Sequence, residues 1–267
     1  MQSLGFEVDQ VHVNTDTTAQ LPSPVDSLPT EEDLMEQQPV SHTVDEVFDD
    51  FVVNFDMKSS FQRQRVSFPM VVTTDGADAD TIAASEWQHR YLFMRQDFCT
   101  VLWNSETEMM QMSETPVEAS AAVEQIYLHS HTITTLHFER DERGQWILVS
   151  IDNEDFDHHP LGEFLYFYSQ FATDSLYQQR HLAPHLHYVT ADDNSDEGII
   201  EGTIDSDQWR EFAPELPHDA ITNIRYGQSY HDPYRIVMQM QGFGGGFQAL
   251  FYFRRDNGHW KLTGFEN

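Results

Sequence analysis

The chain has 267 residues, a length suited to about two domains, and its 13% aromatic content, with 19 Phe, points to a core built from large rings. Fourteen Lys and Arg stand against 45 Asp and Glu, a formal net charge of -31, so the basic stripe that holds nucleic-acid phosphates or an anionic lipid surface is missing. The lone cysteine, Cys99, excludes an intrachain disulfide and a paired-cysteine metal site, and no apolar run reaches membrane-spanning length.

Residues 1–43 carry eight acids, four prolines and no base. Such a segment buries too little apolar surface to offset its ordering entropy and reads as an acidic disordered tether. Thr43-Val44-Asp45-Glu46 has the form of a capping box, and Phe48, Phe51, Val52 and Phe55 follow at helical spacing, which predicts a helix with one aromatic face. Phe61-Gln62-Arg63-Gln64-Arg65 then leads into Phe68-Pro69. The apolar run Phe98-Cys99-Thr100-Val101-Leu102-Trp103 makes Cys99 an inert buried thiol. Thr132 to Arg140 and Trp146 to Ile151 alternate apolar and polar around Asp141-Glu142-Arg143-Gly144, a hairpin pattern.

Residues 154–160 read as a linker, closed by Pro160 at the start of a second aromatic helix with Phe164, Phe167, Tyr168 and Phe171 on one face. Tyr177-Gln178-Gln179-Arg180 runs into Ala183-Pro184. Tyr234 to Met240, Phe247 to Arg254 and Trp260 to Phe265 read as strands, with a turn at Asp256-Asn257-Gly258.

The second set echoes the first. Phe48, Phe51 and Phe55 recur as Phe164, Phe167 and Phe171, 116 positions on; Arg140, Gly144, Trp146 and Leu148 recur as Arg254, Gly258, Trp260 and Leu262, 114 on; Trp87 and Asp97 recur as Trp209 and Asp219, 122 on. Two copies of one unit follow, at 44–153 and 161–267, each opening with a helix and closing with an antiparallel sheet, an α+β plan.

The stretch Val44 to Phe55, followed by Phe61-Gln62 and by Arg65 to Pro69, resembles an uncharacterised family of predicted lipoproteins from Gram-negative gut bacteria whose members contain tandem nuclear-transport-factor-2-like (NTF2-like) domains. The resemblance implies that each unit is a cone, an N-terminal helix pair packed on a curved antiparallel sheet, with a cavity at the wide end. It also implies a location in the cell envelope. The sequence shows no leader and no lipid-accepting cysteine, so a cytosolic location stays open.

Six residues at matched places are the candidate ligand contacts: Arg65, Trp87 and Asp97 in the first unit, Arg180, Trp209 and Asp219 in the second. Each has a structural role as its first expectation: bracing for the arginines, core anchoring for the tryptophans, a turn or helix cap for the aspartates. No catalytic, cofactor or metal site is expected. Asp193 to Ile204 mimics a calcium loop but has Ile204 where the bidentate carboxylate belongs. The histidine groups His129 and His131, His158 and His159, and His181, His185 and His187 offer too few converging ligands for zinc. Gly242-Phe243-Gly244-Gly245-Gly246-Phe247 lies between strands, as a hairpin connection does, and no lysine follows it. The functional expectation is a non-enzymatic protein that takes a small apolar ligand or a protein partner in a cone cavity or the groove between units. The alternatives are an isomerase- or hydrolase-like enzyme with an acid/base residue in one cavity, and a scaffold whose cavities are filled by phenylalanine.

Overall fold

The computed structural model describes residues 47–267 except 78, 115–118, 193–197, 232–233 and 244–246. The expected tether and capping box lie outside the described residues.

Helices α1 (Phe48–Met57) and α2 (Ser59–Gln64) precede strands β1 (Val66–Thr74), β2 (Asp80–Ile82) and β3 (Phe98–Trp103), helix α3 (Glu106–Glu114), and the meander β4 (Ser120–Tyr127), β5 (Thr132–Arg140) and β6 (Trp146–Asp155). A 3-10 turn (Phe156–His158) leads to helices α4 (Gly162–Thr173) and α5 (Ser175–Arg180), then β7 (Leu182–Ala191), β8 (Ile199–Asp205), helix α6 (Trp209–Phe212), β9 (Ala220–Arg225) and the second meander β10 (Arg235–Gly242), β11 (Gln248–Asp256) and β12 (His259–Glu266). Phe48, Phe51, Val52 and Phe55 are the buried face of α1, and Phe164, Phe167, Tyr168 and Phe171 that of α4, as their spacing predicts. The tight β11–β12 turn uses the left-handed region at Asn257 (φ 50°) and Gly258 (φ 81°), which is what an Asn-Gly hairpin requires.

The twelve strands among the described residues form one sheet, in the order β2-β1-β6-β5-β4-β9-β3-β10-β11-β12-β7-β8. Read inward from either end, the order is the same up to the fifth strand. The sixth is then taken from the other half of the chain: β9 pairs with β4, and β3 pairs with β10. The halves have exchanged a strand. The crossed pairing continues past the strands, because Phe243 N–H donates to the Asp97 carbonyl at 3.0 Å and Leu128 N–H donates to the Asp219 carbonyl at 3.1 Å. β3 and β9 lie side by side and parallel at the centre, joined at Thr100 and Asn223.

The sheet is mixed, where antiparallel units were expected: β1 runs parallel to β6 and β7 to β12. Each of these pairs joins the strand after a helix pair to the last strand of a meander, and so long a connection leaves the direction free.

Two hydrophobic clusters form the core. In one, Phe48, Phe51 and Phe55 all meet Phe138 edge-on, and Phe48 meets Trp146 edge-on. In the other, Phe164, Phe167 and Phe171 pack on Phe253, and Phe164 on Trp260. Central strands serve both: Val101 and Trp103 belong to the first cluster and Leu102 to the second, and Ile224 and Ile221 divide the same way. Successive strand residues face opposite sides, so the two cores lie on opposite faces of the central strands. The segment 154–160 runs from the end of β6 through the 3-10 turn, with Phe156 and His159 buried.

Candidate functional site

The matched tryptophans are core anchors tied to a glutamine. Trp87 Nε1 donates to Gln62 Oε1 at 3.2 Å and Trp209 Nε1 donates to Gln178 Oε1 at 2.9 Å. Each glutamine in turn donates to the last buried phenylalanine of the preceding helix, Gln62 to the Phe55 carbonyl at 2.9 Å and Gln178 to the Phe171 carbonyl at 3.1 Å. One device, used twice, clamps helix to loop.

Arg65 is buried. It donates to the Trp146 carbonyl at 3.2 Å and lies 4.8 Å over the Phe61 ring. Its counterpart in the second half is His181, one position beyond Arg180: Leu148 N–H donates to the Arg65 carbonyl and Leu262 N–H to the His181 carbonyl. His181 stacks on Tyr177 at 3.9 Å, as Arg65 covers Phe61. Arg180 donates along its own helix, to the Leu176 carbonyl, at 3.1 Å.

Asp97 and Asp219 are brought together. Both line a cavity of about 490 Å³ bounded by the start of β3, the loop Pro214 to Asp219, and β10 and β11. Met240, Ala249 and Phe251 alternate inward from β10 and β11 to form its apolar floor with Leu216, and all four belong to the second core. Asp97, Glu215, His218 and Asp219 also line it. The exposed Asp219 carboxylate accepts from His129 Nε2 at 3.0 Å, and that bond holds its carboxyl below the usual range.

A buried polar network lies at the seam between the halves. Glu124 of β4, with no solvent exposure, accepts from Asn223 Nδ2 at 2.7 Å, Arg225 Nη1 at 3.0 Å and His159 Nε2 at 3.4 Å. Leu161 N–H donates to His159 Nδ1 at 3.2 Å, which leaves the imidazole proton on Nε2, facing Glu124. Asn223 also accepts from Leu102 N–H at 2.9 Å and meets the Tyr230 hydroxyl at 2.7 Å. One asparagine thus stitches β4, β9 and β3 together where backbone pairing between the central strands is slight. The network was missed in the sequence. Its trace was an acid inside the apolar run Ala121-Ala122-Val123-Glu124-Gln125-Ile126.

The remaining candidates are placed plainly. His129 and His131 lie in the turn after β4, His131 at φ 58°, so they do not share a strand face. His185 and His187 do lie on β7 and pair with Asp205 and Glu201. Cys99 is buried, and burial pushes its thiol up to about 12. Residues 193–197 of the calcium-like loop and 244–246 of the glycine-rich connection lie outside the described residues. Among the described residues no group of three or more His, Cys, Asp or Glu could hold a metal ion, and no helix is long and apolar enough to cross a membrane.

One large sheet with few helices, grouped as pairs ahead of meanders, defines an α+β protein of NTF2-like fold. A solved NTF2-like protein from Bacteroides fragilis NCTC 9343 is 35% identical and superposes with a TM-score of 0.77, covering 85% of this chain and 98% of that one. The model of a family described as a domain of unknown function, DUF4348, matches residues 27–267, and the chain belongs to that family. A search among curated proteins found no match.

Proposed function

We propose that the chain is a non-enzymatic small-molecule-binding protein, built from tandem NTF2-like units, that takes an apolar ligand into the cavity between Asp97 and the loop Pro214 to Asp219. The observation that carries this reading is the cavity itself. Its volume of about 490 Å³ falls in the range of ligand pockets, and an apolar floor with a few polar groups is their usual make-up. The buried Glu124 and His159 pair supports binding over catalysis, because neither lines this cavity and both are spent on internal hydrogen bonds. As part of the same proposal, the protein works in the cell envelope, as the family resemblance implies.

Titration with Nile red, a neutral apolar dye, tests the reading. The wild type is expected to bind it with a blue-shifted emission, and Ala249→Phe, which fills the floor, is expected to abolish binding while the circular dichroism spectrum is kept. Equal binding by a folded Ala249→Phe protein, or none by the wild type, overturns the assignment.

A further inference from the structure

A second cavity, of about 540 Å³, opens on the face of β10, β11 and β12 turned away from the second core, with the start of α3 as its wall. Arg235 and Arg254 both line it and are direct cross-strand partners. Like charges placed opposite each other weaken a sheet. In a chain with 45 acids such a pair is easily neutralised, yet among the described residues neither guanidinium has an ion-pair partner within 4.0 Å. The fold does not demand it either. By register Arg140 corresponds to Arg255, not to Arg254 as the sequence spacing has it. The position of Arg254 is held in the first meander by Glu139, paired with Ser120.

The opposite charge stands in the same cavity. Tyr252 donates its hydroxyl proton to Glu266 at 2.5 Å. Burial, with Glu266 and Glu106 beside it, pushes the Tyr252 hydroxyl far up and keeps it a donor. Both carboxylates line the cavity, and among the described residues neither has a cationic partner. Two guanidinium groups and two carboxylates therefore share one hollow without neutralising each other.

We propose that this cavity binds a zwitterion of the amino-acid or short-peptide class, its carboxylate held by Arg235 and Arg254 and its ammonium by Glu106 and Glu266. Such a ligand offsets both like-charge pairs at once, whereas a simple anion meets the glutamates and a simple cation meets the arginines.

Calorimetry on the full chain with alanyl-alanine, its N-acetyl form and its C-terminal amide is the test. The free dipeptide is expected to bind, and each blocked form to bind at least about tenfold more weakly, the loss of one charge-assisted hydrogen bond. Arg254→Glu gives Arg235 an ion-pair partner, so it is expected to abolish binding while leaving the thermal midpoint unchanged or raised. Glu266→Gln is expected to weaken the free dipeptide and leave the N-acetyl form unaffected. Absence of heat with the free dipeptide, equal affinity for a blocked form, or undiminished binding by folded Arg254→Glu overturns the proposal. The apolar cavity is untouched by these variants, so Nile red binding reports separately on that site.

Discussion

Replacing Glu124 with alanine strikes the point where the two halves join. Three donors converge on its carboxylate, from Asn223, Arg225 and His159, and they do not lose equally. Asn223 keeps the Tyr230 hydroxyl at 2.7 Å. Arg225, with 30% of its side chain exposed, can turn to water and lies 5.4 Å from the Tyr230 ring. His159, with 2% exposed, has nothing left for Nε2. Removing one member of a buried charged pair costs about 3–5 kcal/mol, and the exposure of Arg225 argues for the lower end, about 3 kcal/mol. At roughly 2–4 °C per kcal/mol for a chain of this size, the thermal midpoint of Glu124→Ala falls by roughly 6–12 °C. Glu124→Gln keeps the shape and loses the charge, so it costs about half as much. The pH dependence has a definite sign. Burial alone pushes the Glu124 carboxyl up, but hydrogen bonds from His159 and Asn223 and the Arg225 charge outweigh it and hold the carboxyl below its ordinary value of 4.5. A depressed carboxyl contributes stability that is complete above its unfolded value and is lost as the pH falls through the folded one. The stability gap between wild type and Glu124→Gln therefore narrows below about pH 4.5. Guanidinium titrations at several pH values read both effects. A loss under about 1 kcal/mol for Glu124→Ala, or a gap that widens on acidification, refutes the reasoning.

The repeated Trp-Gln clamp predicts unequal costs. Gln62 makes four bonds, to Phe55, to Trp87 and twice to Arg90, against two for Gln178; Gln62→Ala is expected to cost about 2–3 kcal/mol and Gln178→Ala about 1 kcal/mol in denaturant titrations. Cys99, buried and with its thiol pushed up to about 12, is expected to ignore a chromogenic disulfide reagent at pH 8 until the protein is unfolded; rapid labelling of the native protein contradicts that burial. The exchanged strands predict that residues 1–160 and 161–267 made separately do not fold, since each lacks the strand its meander pairs with, while co-expressed halves purify as one complex. Cooperative unfolding of 161–267 alone refutes it.

Periodicity reports what a backbone does locally, and the aromatic faces of α1 and α4, both hairpins and the recurrence of Trp87 as Trp209 were legible for that reason. Equivalence is a different matter from adjacency. A strand that pairs with the meander of its own half and one that pairs with the meander of the other half carry the same pattern, because the ladder uses backbone groups that every residue has. One trace of the exchange was present. Residues 99–103 are buried without alternation, the pattern of a strand covered on both faces, and such a strand belongs at the centre of a sheet shared by two cores.

The exchange also decides how many sites the aspartates make. In two separate cones, matched residues such as Asp97 and Asp219 would stand in two equivalent cavities, one per unit. Here β3 and β9 run parallel and adjacent, so the residues just before them, Asp97 and Asp219, emerge at the same end of the sheet and line one cavity. The two matched aspartates thus serve one cavity between them. The two meanders also differ at one shared register, where the second has Arg235 opposite Arg254 and the first has Ser120 opposite Glu139.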